Sequence, residues 1–203
     1  MDDQEFLEQR IKDLEASVAY FAPGNNQEKE RYVAASFIEN LRIPYSNGEM
    51  VSPDDDPPDV VFRDARFEIK EILDSGRRRH DEYKAELERA KTLTDPQDLF
   101  HMFTPKDESL SEIFRRCEES ALALNNTYSA AVRSSLDLLF YVNLMQVFDV
   151  IEVPYPDTSG LEPAGWRSVS FVMGQRSCCF HARNDAPAFI KEAVGHVSHL
   201  HPK

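Results

Sequence analysis

Within residues 58–70, Pro58-Asp59-Val60-Val61-Phe62-Arg63-Asp64-Ala65-Arg66-Phe67-Glu68-Ile69-Lys70, two carboxylates and a lysine fall where a pair of strands would bring them together. Val60-Val61-Phe62 reads as a short apolar strand, Asp64-Ala65 as the turn, and Arg66 to Leu73 as a second strand. A strand alternates its side chains between two faces, so Glu68 and Lys70 share one side while Phe67 and Ile69 take the other. If Asp59 opens the partner strand, its carboxylate approaches Glu68 and the two form hard oxygen donors suited to Mg2+ or Mn2+. A cation there relieves the repulsion between the acids, acidifies a bound water and neutralises charge on an attacked phosphate. Lys70 would then orient the water, help to deprotonate it, or stabilise the pentavalent phosphate. The chemistry that follows is phosphodiester hydrolysis. A plainer reading makes Glu68 and Lys70 a same-face ion pair on a solvated strand.

Several elements must position this stretch. Leu7, Ile11, Leu14, Val18 and Phe21 recur at steps of four and three, which predicts an amphipathic helix over residues 3–21, packed on the domain or on a second copy of the chain. Pro23-Gly24-Asn25-Asn26 breaks it. A second helix is expected from Gln27 to Leu41, with Val33, Ala34, Phe37 and Leu41 on one face. Glu30 heads that apolar stripe, either as a first-turn acid favoured by the helix dipole or as a functional group. Asn47-Gly48 predicts a hairpin turn between Ile43–Ser46 and Glu49–Val51. Asp54-Asp55-Asp56 could supply metal ligands, but like charges in a Pro-flanked loop read first as a solvated acidic loop.

Beyond Ser75 the pattern is helical, opening with Arg77-Arg78-Arg79-His80, a basic run suited either to nucleic-acid phosphates or to neighbouring acids such as Asp81 and Glu82. A long helix is expected from Lys106 to Arg133, with Asn125-Asn126 as a point of interruption, and a buried strand over Leu138–Val142. Val147 to Pro154 is a further strand candidate. Ser168–Met173 and Ser177–Ala182 predict a hairpin across Gly174-Gln175, followed by a helix over Ala186–Val197 and a frayed tail.

Pro58-Asp59 followed by Glu68-Ile69-Lys70 resembles the PD and (D/E)XK signatures of the PD-(D/E)XK nuclease superfamily, and within it a bacterial endonuclease family with no assigned substrate. The resemblance covers residues 27–150. It implies a restriction-endonuclease-like fold of the α/β (α+β) class, a mixed sheet flanked by helices, with Leu136–Val142 as the fourth strand. It also implies Asp59, Glu68 and the backbone carbonyl of Ile69 as metal ligands, Glu30 as a further acidic ligand, and Lys70 as the catalytic lysine. Mg2+ or Mn2+ is the implied cofactor and nucleic acid, DNA first, the implied substrate, with Arg77, Arg78 and Arg79 as backbone contacts. The alternative is an inactive protein of the same fold that binds nucleic acid or a protein partner.

Length and composition frame these expectations. A chain of 203 residues, 41% hydrophobic and 29% charged, predicts one soluble domain over 1–203, with residues 155–203 as an extension to the 27–150 core. A net charge of -13 argues against a protein that coats nucleic acid non-specifically. The start, Met1-Asp2-Asp3-Gln4-Glu5, lacks the basic flank and apolar run of a signal peptide, and no apolar run is long enough to span a bilayer, so a cytoplasmic protein without membrane contact is expected. Cys117, Cys178 and Cys179 read as free thiols of a reducing compartment. Cys178, Cys179 and His181 lack the second ligand pair that a zinc site needs. A homodimer through the N-terminal helix is a further expectation.

Overall fold

The computed structural model describes residues 2–22, 24, 26–100 and 102–201. In chain order its helices are α1 (Asp3–Tyr20), α2 (Asn26–Asn40), α3 (Arg79–Ala90), α4 (Leu110–Ala123), α5 (Ala130–Arg133) and α6 (Ala188–Glu192). Its strands are β1 (Met50–Val51), β2 (Val60–Phe62), β3 (Ala65–Leu73), β4 (Lys106–Ser109), β5 (Asp137–Asn143), β6 (Val147–Ile151), β7 (Ser168–Met173), β8 (Arg176–Ala182) and β9 (Val197–His199). They form two compact units where the sequence suggested one: Met1–Asn26 with Leu73–Pro105, and Gln27–Ile72 with Lys106–Lys203. Among the described residues no helix is long and apolar enough to cross a membrane.

The smaller unit is built on α1 and α3. Asp2 and Glu5 form a reciprocal capping box at the start of α1. The expected stripe of α1, including Leu7, Ile11, Leu14 and Val18, packs against Tyr83, Leu87 and Ala90 of α3 and against Leu99. Phe21 stacks on Tyr83 with ring centroids 5.0 Å apart. Of the residues expected to break the helix, Pro23 and Asn25 lie outside the described residues, while Gly24 takes a positive φ of 101° that only glycine adopts freely.

The larger unit carries a seven-stranded mixed sheet in the order β1-β2-β3-β5-β7-β8-β9. β1, β2 and β3 are antiparallel neighbours, β5 and β7 run parallel, and β7, β8 and β9 return to antiparallel pairing. Helices cover both faces, which is why β5 reads as a continuous apolar run. Leu138, Phe140 and Val142 meet Leu110, Ile113, Phe114 and Cys117 of α4 on one side. On the other side Leu139 packs with Phe37 and Ile38 of α2.

Several expectations change here. Lys106–Ser109 belongs to a strand, not a helix: it pairs in parallel with β6 as a separate two-stranded sheet. Helix α4 starts only after Ser109, whose hydroxyl accepts the Glu112 N–H at 3.1 Å. The chain then leaves the α-helix across Leu124–Asn126 before α5, the interruption expected at the asparagine pair. The hairpin predicted at Asn47-Gly48 is a 3-10 turn, because the Glu49 carboxylate accepts the Ser46 N–H at 2.9 Å and binds Arg63 at 2.8 Å. β1 therefore pairs with β2 rather than with residues 43–46. Residues 155–203 are no extension, since β7 and β8 lie inside the sheet and β9 closes it. The last helix ends at Glu192 rather than Val197, and Val197–His199 are strand where the end of the helix and a frayed tail are expected; Pro202 and Lys203 lie outside the described residues.

Asp137 fastens this sheet at one end. Its carboxylate, 1% exposed, accepts from the Arg66 backbone N–H at 2.9 Å, the Ser168 hydroxyl at 2.8 Å and Arg167 Nε at 3.0 Å. Asp137→Ala leaves the Arg167 guanidinium, itself 13% exposed, without its buried partner and is expected to lower the unfolding free energy by about 3–5 kcal/mol in urea titrations. A loss below about 1 kcal/mol would place this pair among solvated ones.

Candidate metal centre

Asp59 stands immediately before β2, where the ladder to β3 ends. Its own N–H donates to the Phe67 carbonyl at 3.0 Å, and its carboxylate accepts the Ile69 N–H at 2.7 Å. The side chain thus supplies the next rung of the sheet, and this contact fixes the distance between Asp59 and the Glu68-Ile69-Lys70 segment. An extended residue directs its N–H and C=O to the same side of the strand, so the Ile69 carbonyl also faces the Asp59 side.

Glu68 projects from β3 into the interior at 1% exposure, which removes the reading of a solvated ion pair. Its Oε1 receives hydrogen bonds from the Lys70 ammonium and from the Tyr128 hydroxyl, the latter at 2.5 Å. Its Oε2 is buried and has no partner. A carboxylate oxygen in that condition costs free energy unless a cation or donor meets it. Asp56, Asp59 and Glu68 each offer one carboxylate oxygen, and all three oxygens lie within 4.8 Å of one another. Lys70 Nζ stands 4.0 Å from Asp59 Oδ2 and 5.7 Å from the centre of the Tyr128 ring.

Electrostatics bring Glu30 into the group. Burial, then the charge of Asp59, with smaller contributions from Glu68 and Asp56, push its pKa up to about 7 against the opposing pull of Lys70. Burial also raises Asp59 to about 6; the Ile69 N–H opposes this, Glu68 and Asp56 add to it, and Lys70 lowers it. For Lys70, burial alone would favour the neutral amine, but the hydrogen bond and charge of Glu68, aided by Asp59, hold it protonated with a raised pKa. Burial and the hydrogen bond to Glu68 lift Tyr128 to about 12, so it remains a donor.

The expected trio of Asp59, Glu68 and Lys70 is therefore assembled, and Glu30 senses it. Arg77, Arg78 and Arg79 belong to the other unit. There Arg77 bonds Glu82 at 2.8 Å and lies 3.9 Å from Asp74, while the Arg79 guanidinium sits 4.0 Å from the Phe21 ring centre. Two members of the group escaped the sequence reading. Asp56 is exposed, as a solvated acidic loop predicts, yet its carboxylate lies with those of Asp59 and Glu68. Tyr128 falls within the stretch expected as one long helix, Lys106 to Arg133, where nothing local singles it out, although a buried tyrosine needs a partner for its hydroxyl. The three cysteines are buried free thiols, as expected.

Hard oxygens, excess negative charge and one unsatisfied buried oxygen fit Mg2+ or Mn2+. Asp56, Asp59 and Glu68 would hold the ion, with Glu30 and the Ile69 carbonyl as further oxygens. Tyr128→Phe removes the donor that orients Glu68 and is expected to weaken Mn2+ binding about tenfold or more in calorimetry. The raised acids also set a pH dependence. A carboxylate with a raised folded-state pKa contributes stability that is full below its unfolded pKa and lost as pH rises through the folded value, about 6 for Asp59 and about 7 for Glu30. In chelator, Glu30→Gln is thus expected to melt above wild type at about pH 8 and to lose that advantage by about pH 5 in thermal scans.

A family model described as "Putative endonuclease, protein of unknown function (DUF1780)" matches residues 2–203. A solved structure of a protein of unknown function from Pseudomonas aeruginosa strain PAO1, assigned to the monooxygenase superfamily, is similar with a TM-score of 0.67 and 24% identity, covering 98% of this chain and 96% of that one. At that identity the likeness concerns the fold alone. No curated protein matches the sequence.

Proposed function

Since the chain belongs to the DUF1780 family, we propose that it is a metal-dependent endonuclease of the PD-(D/E)XK type, hydrolysing phosphodiester bonds of nucleic acid, DNA first. The observation that carries this reading is the convergence of the Asp56, Asp59 and Glu68 carboxylates, with Glu68 Oε2 buried and partnerless. Mg2+ or Mn2+ bound there supplies a water of lowered pKa and neutralises charge on the phosphate. Asp59, through its bond to the Ile69 N–H, holds the ligand oxygens on a rigid strand. Lys70, kept protonated, donates to the attacked phosphate or orients the water; its raised pKa speaks against a role as proton acceptor. Tyr128 keeps Glu68 and Lys70 in register from the opposite side.

Supercoiled DNA and a structured RNA incubated with Mn2+ test this. Lys70→Ala is expected to lose cleavage by about a hundredfold or more while Mn2+ binding persists or tightens, because the ammonium no longer competes for Glu68. Glu68→Gln should lose both. Equal cleavage by wild type and Lys70→Ala would assign the activity to a contaminant. The net charge of -13 favours a second reading, a non-cutting protein of the same fold that binds nucleic acid or a protein partner. That reading predicts Mn2+ binding without cleavage of either substrate.

A further inference from the structure

An acidic centre that acts on a polyanion needs cations beyond the metal, and the sheet presents one that the motif does not include. Strand alternation sets Arg66, Glu68 and Lys70 on the same face of β3, with successive same-face positions about 6.5 Å apart. An arginine side chain spans a comparable length. The Arg66 side chain is exposed, and among the described residues its guanidinium has no hydrogen-bond or ion-pair partner. That is unusual within its unit. Arg63 is engaged by Glu49, Arg115 by Glu112, Arg167 by Asp137 and Arg183 by Asp185.

Two features separate Arg66 from an ordinary surface arginine. Its backbone is anchored, with the N–H donated to the buried Asp137 carboxylate at 2.9 Å and the residue paired with Val61 of β2. Its nearest same-face acid, Glu68, already has its Oε1 occupied by Lys70 and Tyr128. Arg66 is thus carried on a rigid strand two residues from Glu68, on the same face by strand alternation, and makes no ion pair with the carboxylate cluster among the described residues. A planar fork in that position suits a phosphate diester, which it can meet with two parallel N–H donors.

We infer that Arg66 clamps a backbone phosphate of the nucleic-acid strand bound at the Asp56, Asp59 and Glu68 centre. This rests on the nuclease reading and deepens it. The contact grips the phosphate backbone and carries no base identity, so it contributes affinity and register rather than sequence preference. It also sets the strand against β3, with the phosphate at Arg66 on one side of the metal ligands and Lys70 on the other.

The test uses a fluorescein-labelled DNA oligonucleotide, single-stranded and as a duplex, with Ca2+ in place of Mg2+ so that binding is read without cutting. Arg66→Ala is expected to weaken binding by about tenfold or more and to reduce the slope of log affinity against log salt by about one. Arg66→Lys should recover the slope and only part of the affinity. Arg183→Ala removes the same charge from an arginine already paired with Asp185 and should bind as wild type. Mn2+ calorimetry should give Arg66→Ala an affinity no weaker than wild type, which separates substrate binding from metal binding. Equal binding by Arg66→Ala and Arg183→Ala overturns the clamp and leaves the nuclease reading standing. Failure of the wild-type chain to bind either oligonucleotide, or the structured RNA tested beside them, overturns both.

Discussion

The buried Asp137 carboxylate ties three neighbouring strands together at one end of the large sheet, and the placement of the acidic centre depends on it. From β5 it takes the Arg66 N–H of β3 on one side and Ser168 of β7 on the other, with Arg167 closing the bond. A charged group with so little exposure persists only if its oxygens are met, and here three donors meet them. The result fixes the start of β3. Glu68 and Lys70 follow two and four residues later on that strand, so their direction is set before any contact of their own is made.

The centre itself is the opposite case. Four acids, Glu30, Asp56, Asp59 and Glu68, share a small region with one ammonium, and one buried oxygen is left unmet. Burial first, and then the neighbouring charges of Asp59, Glu68 and Asp56, raise the pKa of Glu30 to about 7. Structural ion pairs are normally complete, as at Asp137. An incomplete one on rigid strands is what a binding site looks like when its ligand is charged and removable. The anchor and the centre thus use the same residue type in the same sheet for contrary ends, and the difference lies in how many donors each finds.

Strand parity made part of this visible in the sequence. Glu68 and Lys70 had to share a face of β3 whatever surrounded them, and the apolar run at Leu138–Val142 had to be a covered strand or a helix. What the sequence hid depends on tertiary contact. Tyr128 joins Glu68 across a separation of 60 residues, and nothing near either residue points to the other. Lys106–Ser109, Lys-Asp-Glu-Ser, has no apolar alternation, so its pairing with β6 follows only from what the fold places beside it. Asp56 sits within a run of three exposed aspartates, where local charge density masks the one whose carboxylate approaches Asp59 and Glu68. The division into two units was equally obscure, because the smaller one is assembled from two stretches separated by α2 and the strands that follow it.

The Asp59 carboxylate that completes the ladder at Ile69 has a further effect, on how this protein meets other chains. An open sheet edge is a template for foreign strands, and the usual safeguards are short edge strands and charges placed on them. Here β1 has two residues and β2 three, and the position just before β2 begins is closed by a carboxylate already holding the next backbone N–H. A stray strand seeking to extend pairing there must displace that bond and bury its own backbone against an anionic cluster. The acids gathered at this edge therefore make it a poor template for a foreign strand.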